Sequence, residues 1–176
     1  MKEFQQTFNN DKKTLKEDIL NINKNRTPII LILDELTDIG NIGLIFRIAD
    51  ALRIGKIYIY NYKQELNYKL LHRKSRASIQ YVPFEYINDL NNIIELKKTH
   101  KLIVLDKTNK SITYNKTKYT KPICLIIGAE ITGVSQKLIN ISDQSIHLPM
   151  LGINTSINVA TATSVALYHI FSELKK

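Results

Sequence analysis

The chain has 176 residues, of which 44% are hydrophobic, so it is long enough to bury the core of one ordinary domain. Lysine and arginine outnumber aspartate and glutamate by 25 to 16, and the net charge of +9 suggests a polyanionic partner, with nucleic acid favoured over a membrane surface. No run approaches the roughly 18 apolar residues of a membrane-spanning helix, and the N-terminus is too polar for a signal peptide, so we expect a cytoplasmic protein.

Neither the cysteine nor the histidines are spaced as metal ligands. The single cysteine, Cys124, lies inside the apolar run ICLII, which excludes a disulfide framework and indicates buried packing. The histidines are His72, His100, His147 and His169. Because their spacing does not match a zinc site, we expect ordinary surface or core histidines and no metal.

The chain begins with a predicted amphipathic helix within residues 1–26. Leu15, Ile19 and Ile22 recur at helical intervals among many Lys, Asp and Asn residues. We expect this apolar stripe to dock on the main domain or on a partner subunit, with the charged face solvated. Residues 27–176 show no linker, repeat or low-complexity tract, which indicates one further domain.

Short apolar runs without polar alternation follow, and they are typical of strands buried on both faces of a parallel sheet. These runs are residues 29–33, 56–60, 101–105, 122–128 and, more weakly, 145–149. Helical patterns lie between them, marked by Ile42, Ile45, Phe46 and Ala49, by Ile87, Leu90, Ile93 and Ile94, and by residues 134–141. Strands that alternate with helices predict an α/β domain with a mostly parallel sheet between helices.

Two basic zones interrupt this pattern. Residues 63–76 contain five Lys or Arg against one Glu, and residues 97–121 contain eight Lys against one Asp. The tyrosines in or beside these zones are Tyr62, Tyr68, Tyr81, Tyr114 and Tyr119. Such zones could follow a phosphate backbone and stack on exposed bases, or they could be solvated loops with tyrosines in the core.

The C-terminal stretch 148–165 runs from an apolar strand through a polar loop into a helix. Asn154, Ser156 and Asn158 stand at alternate positions where this helix would start, and Ser156 is the predicted cap. The small residues 160–164 are modest helix formers, so close backbone packing should hold the helix. On its own, this stretch is most simply a capped core helix.

The glycines exclude the common nucleotide-binding loops, since none forms G-x-G-x-x-G or a phosphate loop ending in Gly-Lys-Ser/Thr. Most of them instead follow predicted strands: Gly40 and Gly43, then Gly128 and Gly133, then Gly152. Ligands of open α/β sheets bind outside the carboxyl ends of strands, so these three loops could line one pocket. The loops also carry polar side chains, namely Asn41, Arg47, Glu130, Asn154, Ser156 and Asn158.

Three segments resemble ordered motifs of the SpoU/TrmH family of RNA ribose 2′-O-methyltransferases. They are NIGLIFRIADA (41–51), LIIGAEITGVS (125–135) and HLPMLGINTSINVATATSVALY (147–168). The family motifs are N-x-G-x-x-x-R, G-x-E-x-x-G, and I-P-M followed by S-x-N at a helix start. Leu148 replaces the usual Ile. The resemblance covers roughly residues 28–171, and three linked motifs are more specific than any one.

The resemblance implies a methyltransferase domain over residues 27–176, with residues 1–26 as an extension. It also implies a C-terminal deep trefoil knot, S-adenosylmethionine bound in the knot, and a homodimer whose active sites borrow residues across the interface. The implied catalytic residues are Arg47, Asn41, Glu130, Ser156 and Asn158. The implied cofactor-binding residues are Leu105, Gly128, Leu148, Met150, Ser156 and Ile157.

The expected activity is methylation of a ribose 2′-hydroxyl in structured RNA, with transfer RNA favoured over ribosomal RNA because the protein is compact. A guanidinium is effectively always protonated, so we expect Arg47 to grip a phosphate and stabilise the developing oxyanion rather than act as a base. The alternatives are a non-catalytic RNA-binding protein of the same fold and a methyltransferase for proteins or small molecules.

One segment departs from the family pattern. Members often have a glycine-alanine pair after the second strand, whereas Arg76, Ala77 and Ser78 stand there without a glycine. We therefore expect a less flexible backbone in this segment.

Overall fold

A computed structural model describes residues 12–120 and 122–175 of the chain. The strands are β1 (Thr27–Asp34), β2 (Ile54–Tyr60), β3 (Phe84–Ile87), β4 (Lys101–Leu105), β5 (Ile112–Thr113), β6 (Ile123–Ile127) and β7 (Gln144–His147). The helices are α1 (Lys12–Lys24), α2 (Ile39–Ala51), α3 (Tyr68–Lys74), α4 (Leu90–Leu96), α5 (Gln136–Ile141) and α6 (Val159–Leu174).

The strands form one sheet in the order β3-β2-β1-β6-β4-β7-β5. Each neighbouring pair among the described strands is parallel, which confirms the predicted α/β class. The five predicted apolar runs became β1, β2, β4, β6 and β7. The sequence did not indicate β3 and β5, because they lie at the two sheet edges and carry partly exposed side chains.

The strands bury side chains on both faces, and helices cover each face. On β1, Ile29 and Leu31 contribute to the core beneath α2, α3 and α6, whereas Ile32 points to the opposite core beneath α4 and α5. All three side chains are fully buried. Burial on both faces explains why the strand sequences are continuously apolar instead of alternating with polar residues.

Helix α2 starts at a side-chain cap and packs closely against α3. The Asn41 N–H donates to Asp38 Oδ1 over 2.6 Å, which satisfies one of the free amides of the first turn. Gly43 permits the close packing, since a Cβ built there would lie 2.7 Å from the Lys74 Cβ. The N-terminal half of α2 therefore lies directly against the C-terminal end of α3.

Helix α6 starts two residues later than a Ser156 cap would imply. Its cap is Asn158, whose Oδ1 accepts the N–H groups of Ala160 and Thr161 over 3.0 and 3.1 Å. The prediction of Ser156 as the cap was wrong, because Asn158 satisfies the same free amides. Thr163 and Ser164 further along donate their hydroxyls to carbonyls one turn back, so these polar residues fit inside the helix.

Helix α1 occupies part of the predicted N-terminal helix, and residues 1–11 of that prediction lie outside the described residues. The chain after α1 is fixed to the domain by Arg26. Its guanidinium donates to the carbonyl oxygens of Ile54 and Tyr81 over 3.0 and 2.5 Å. These bonds join the end of α1 to the first residue of β2 and to the loop before β3.

One predicted helix starts later than expected, and one helix was not predicted. Ile87 belongs to the end of β3, and α4 begins after it at Leu90 with Asp89 as its cap. Within the first basic zone, residues 68–74 form α3. This helix has only seven residues and one fully buried side chain, Leu71, so its apolar periodicity was too short to recognise in the sequence.

The segment after α3 contains two non-glycine residues in the left-handed region. Arg76 has a φ of 48° and Ala77 a φ of 68°. Ala77 thus stands in a backbone conformation that glycine adopts without steric cost. A left-handed residue with a Cβ costs about 1–2 kcal/mol, so this segment carries conformational strain.

We expect Ala77→Gly to stabilise the protein. Relief of the left-handed strain outweighs the added freedom of the unfolded chain, and the net gain should be about 0.5–1 kcal/mol. Asn92→Gly is the control, since Asn92 is exposed inside α4, where replacement by glycine should cost stability. Urea unfolding of both variants measures the difference, and a destabilised Ala77→Gly protein would contradict the strain assigned to this residue.

Candidate functional site

A cavity of about 400 Å³ opens at the carboxyl ends of β4, β6 and β7. Its walls come from the loops after these strands and from the first turn of α6. All six residues predicted to bind the cofactor line it: Leu105, Gly128, Leu148, Met150, Ser156 and Ile157. The volume falls in the usual range for small-molecule sites, and the carboxyl ends of strands are where such sites form in α/β sheets.

The buried side chain of Asn41 joins the three motifs beside this cavity. Its amide nitrogen donates to Glu130 Oε1, and its oxygen accepts from Asn158 Nδ2 over 2.8 Å. Asn158 also caps α6 through its Oδ1. Both polar atoms of its side-chain amide are therefore hydrogen-bonded, and its orientation is fixed. Four of the five predicted catalytic residues, Asn41, Glu130, Ser156 and Asn158, therefore lie at the cavity or are hydrogen-bonded to residues that line it.

The loop after β6 crosses itself at two glycines. A Cβ on Gly128 would lie 2.1 Å from the backbone carbon of Gly133, which is closer than any side chain permits. Gly133 itself has a φ of 67°, a conformation that favours glycine. The two glycines of the second motif thus make a tight loop that presents Glu130 and forms one wall of the cavity.

Two carboxylates that sequence reasoning missed hold this loop from either side. Asp106 Oδ2 accepts the N–H of Val134 over 2.8 Å, and Asp34 Oδ2 accepts the N–H of Ser135 over 2.7 Å. Asp34 ends β1 and Asp106 follows β4, the two strands that flank β6. Burial raises the pKa of Asp34 above its ordinary value. The sequence signal for these two carboxylates was their position, since each is an aspartate directly after an apolar run, residues 29–33 or residues 101–105.

Arg47 lies apart from these residues. It is exposed on α2 and lines a second cavity of about 400 Å³ in the groove between α2 and α6. Leu44 and Tyr168 border the same groove, with 41% and 54% of their surface exposed. Within one subunit, the structure therefore does not bring Arg47 to the cavity lined by the other predicted residues.

The sequence matches the model of the SpoU rRNA Methylase family over residues 28–168. The chain belongs to this family. The resemblance drawn from the three motifs is thereby confirmed, together with the predicted enzyme class, an RNA 2′-O-methyltransferase. The matched residues span all seven strands except the first residue of β1, and they include both cavities.

Several relatives carry specific names. The chain is 31% identical to the tRNA (guanosine(18)-2′-O)-methyltransferase of Aquifex aeolicus (strain VF5), over 84% of this chain and 70% of that protein. It is 30% identical to an uncharacterized tRNA/rRNA methyltransferase of Borreliella burgdorferi, over 94% of this chain and 75% of that protein. Identity to the 23S rRNA (guanosine-2′-O-)-methyltransferase RlmB of Blochmanniella floridana is 27%, and only 62% of that protein is covered.

Solved structures share the fold. The A. aeolicus TrmH/SpoU tRNA modifying enzyme superposes with a TM-score of 0.80 at 25% identity, covering 91% of this chain and 84% of that one. The SpoU methyltransferase AviRb from Streptomyces viridochromogenes, crystallised with AdoMet, superposes with a TM-score of 0.77 at 23% identity, covering 88% of this chain and 64% of that one.

Among the residues that the structure describes, no group of three or more His, Cys, Asp or Glu residues is arranged to hold a metal ion. None of the described helices combines the length and the apolar character that crossing a membrane requires.

We expect Gly128→Ala to abolish cofactor binding, because the new methyl group would overlap the backbone at Gly133 and force the loop open. Gly152→Ala is the control, since a Cβ at Gly152 meets no atom within 4 Å. Calorimetry with S-adenosylmethionine, together with the melting temperature, compares the two variants. Wild-type affinity in a folded Gly128→Ala protein would show that the glycine crossing does not shape the site.

Proposed function

We propose that the protein transfers the methyl group of S-adenosylmethionine to a ribose 2′-hydroxyl in structured RNA, and that transfer RNA is preferred over ribosomal RNA. The observation that carries this proposal is the junction at Asn41, where side chains of three separate motifs meet beside one cavity. If Asn158 only capped a core helix, it would need no partner beyond the backbone of α6. The further hydrogen bonds that join Asn158 to Asn41 and Asn41 to Glu130 favour an active site.

The cavity suits S-adenosylmethionine in size and chemistry. Leu105, Leu148 and Met150 supply apolar walls, and Gly128 contributes its backbone to the lining of the cavity. When bound, the cofactor supplies an electrophilic methyl group. We assign Leu105, Gly128, Leu148, Met150, Ser156 and Ile157 to its binding site, mostly through their backbone groups.

The polar residues would position the ribose. Asn41 keeps Glu130 and Asn158 in fixed orientations, so the reacting hydroxyl can be held in line with the methyl donor. Ser156 is exposed on the cavity wall and is available to bond the sugar. Arg47 would hold the adjacent phosphate and stabilise negative charge on the 2′ oxygen, while a phosphate or water accepts the proton.

Arg47 requires a second subunit for this role. The groove that contains it is bordered by exposed Leu44 and Tyr168, and Val165 is 37% exposed on the same helix as Tyr168. We therefore propose a homodimer that packs through α2 and α6 and brings Arg47 of one protomer to the cavity of the other. The exposed apolar groove supports this arrangement, because a second copy would cover it.

The proposed domain consists of residues 27–176, with residues 1–26 as an extension, acting in the cytoplasm. We also propose the deep C-terminal trefoil knot. After β7, the chain crosses the carboxyl ends of β4 and β6 to reach Asn41 through Asn158, and α6 then packs on α2. This path is compatible with threading of α6 through a preceding loop.

The preference for transfer RNA rests on similarity. The relative from A. aeolicus is named for a transfer RNA guanosine and is covered over 70% of its length, whereas RlmB, named for 23S rRNA, is covered over 62%. Transfer RNA is therefore the first substrate to test, and ribosomal RNA is the second.

We expect the wild-type protein to bind S-adenosylmethionine and Arg47→Lys to retain that binding while losing most methyl transfer. Lysine keeps the charge but lacks the planar fork that grips a phosphate. Calorimetry measures cofactor binding, and labelled-methyl incorporation into RNA or protein measures activity. No cofactor binding by folded wild-type protein would favour a non-catalytic RNA-binding protein. Full turnover by Arg47→Lys would contradict only the role of the guanidinium.

A further inference from the structure

We propose that Lys69, Arg73, Lys74 and Arg76, here called the α3 surface, hold the phosphate backbone of the RNA next to the nucleotide being methylated. This inference rests on the proposed function and identifies where the RNA is held. It also distinguishes between the two basic zones of the sequence, because it assigns the backbone contacts to residues 63–76 rather than to residues 97–121.

The four cations of the α3 surface are exposed and free to bind an anion. Within the described part of the chain, none of them forms an ion pair. In the second zone, Lys97 pairs with Asp143 over 3.0 Å and Lys98 pairs with Glu95 over 2.5 Å. The other exposed lysines there, Lys110, Lys116 and Lys118, form no ion pair among the described residues, but they flank β5 at the edge of the sheet. Lys101 in that zone donates to Gln144.

The α3 surface lies beside the helix that carries the proposed catalytic residues. The contact between Lys74 and Gly43 places the end of α3 against α2, two residues after Asn41. Arg47 follows Gly43 by four residues, which puts both on the same side of α2. An RNA strand whose phosphate is held by Arg47 would therefore meet Lys74 and its neighbours along the same surface.

The backbone that carries Arg76 is anchored on both sides. Ser75 is fully buried and donates its hydroxyl to the carbonyl of His72, while Ser78 is 6% exposed and donates to Asp50 Oδ2 over 3.1 Å. Between these anchors, Arg76 adopts a left-handed φ of 48° and stays exposed. Strained non-glycine residues that the surrounding structure fixes in place are concentrated at functional sites, where they hold a side chain ready for its ligand.

A purely structural role does not account for this much charge. Cations near the end of a helix offset its dipole, but a helix end carries only about half an elementary charge. Lys69 and Arg73 are spaced four residues apart on the exposed side of α3, and Arg76 lies beyond its last turn. A set of this size suits a polyanion whose charges are regularly spaced.

The test replaces three of these cations with glutamine, as Lys69→Gln, Arg73→Gln and Arg76→Gln in one protein. Glutamine keeps the length of the side chain and a good helix propensity. The control protein carries Lys110→Gln, Lys116→Gln and Lys118→Gln, three exposed lysines of the second zone with the same loss of charge. The probe is total transfer RNA from cells that lack the gene, titrated at several salt concentrations.

In the α3-surface protein, the slope of log affinity against log salt should become shallower by about 2–3, and KM for RNA should rise by at least about tenfold. The affinity for S-adenosylmethionine should stay at the wild-type level. The control protein should keep the wild-type slope. Single variants Lys69→Gln and Arg73→Gln, each expected to flatten the slope by about 0.7–0.9, maintain the test if the triple variant does not fold.

Equal RNA affinity in the wild-type and α3-surface proteins would overturn the proposal, and so would an equal loss in the control protein. Because RNA binding is measured directly, this result does not depend on whether the protein transfers a methyl group. A wild-type protein that binds RNA through the α3 surface but transfers no methyl group would refute the proposed function and leave the surface standing. Wild-type protein that binds no RNA would overturn both.

Discussion

The hydrogen bonds of the Asn41 side chain are the interaction on which the site depends. Asn41 is only 9% exposed, and it reaches Glu130 on one side and Asn158 on the other. Leaving a buried amide without partners costs about 1–3 kcal/mol, so the first motif needs the other two. This dependence explains why stretches of the sequence that lie 89 and 117 residues from Asn41 belong to the same site.

The loop between β6 and α5 brings Glu130 to this junction. The loop can cross itself because Gly128 and Gly133 have no side chains. Its last residues before α5 are held by hydrogen bonds to Asp34 and Asp106. Asp34 ends one of the two strands next to β6 and Asp106 follows the other, so the sheet itself fixes the loop. A site built on such a frame is pre-organised, which suits a reaction in which positioning supplies much of the rate.

The sequence indicated the central features better than the peripheral ones. Strands buried on both faces, such as β1 and β6, have continuous apolar runs that are easy to recognise, whereas edge strand β3 does not. Helix α3 was missed because a seven-residue helix offers too few turns for a periodic pattern. The aspartates that follow two of the apolar runs could be seen in the sequence, but their long-range partners, such as the Ser135 N–H that donates to Asp34, could not be derived from composition or spacing.

The candidate site shows the same limit. The motifs identified the residues around the cavity, but they did not distinguish Ser156 from Asn158 as the cap of α6, since both residue types cap helices well. Nor did they indicate that Arg47 faces a separate groove. The position of an exposed arginine depends on how helices pack and on whether a second subunit is present, and neither is encoded in the spacing of one motif.

Mass spectrometry of nucleosides from treated RNA tests the central claim most directly. RNA from cells that lack the gene would be incubated with S-adenosylmethionine and wild-type, Asn158→Ala or Asn154→Ala protein. The hydrogen-bonded junction predicts a 2′-O-methylated nucleoside with the wild-type and Asn154→Ala proteins. It predicts loss of this product with Asn158→Ala, because Asn158 bonds to Asn41. Methylation on a base, or unchanged product with a folded Asn158→Ala protein, would contradict the account.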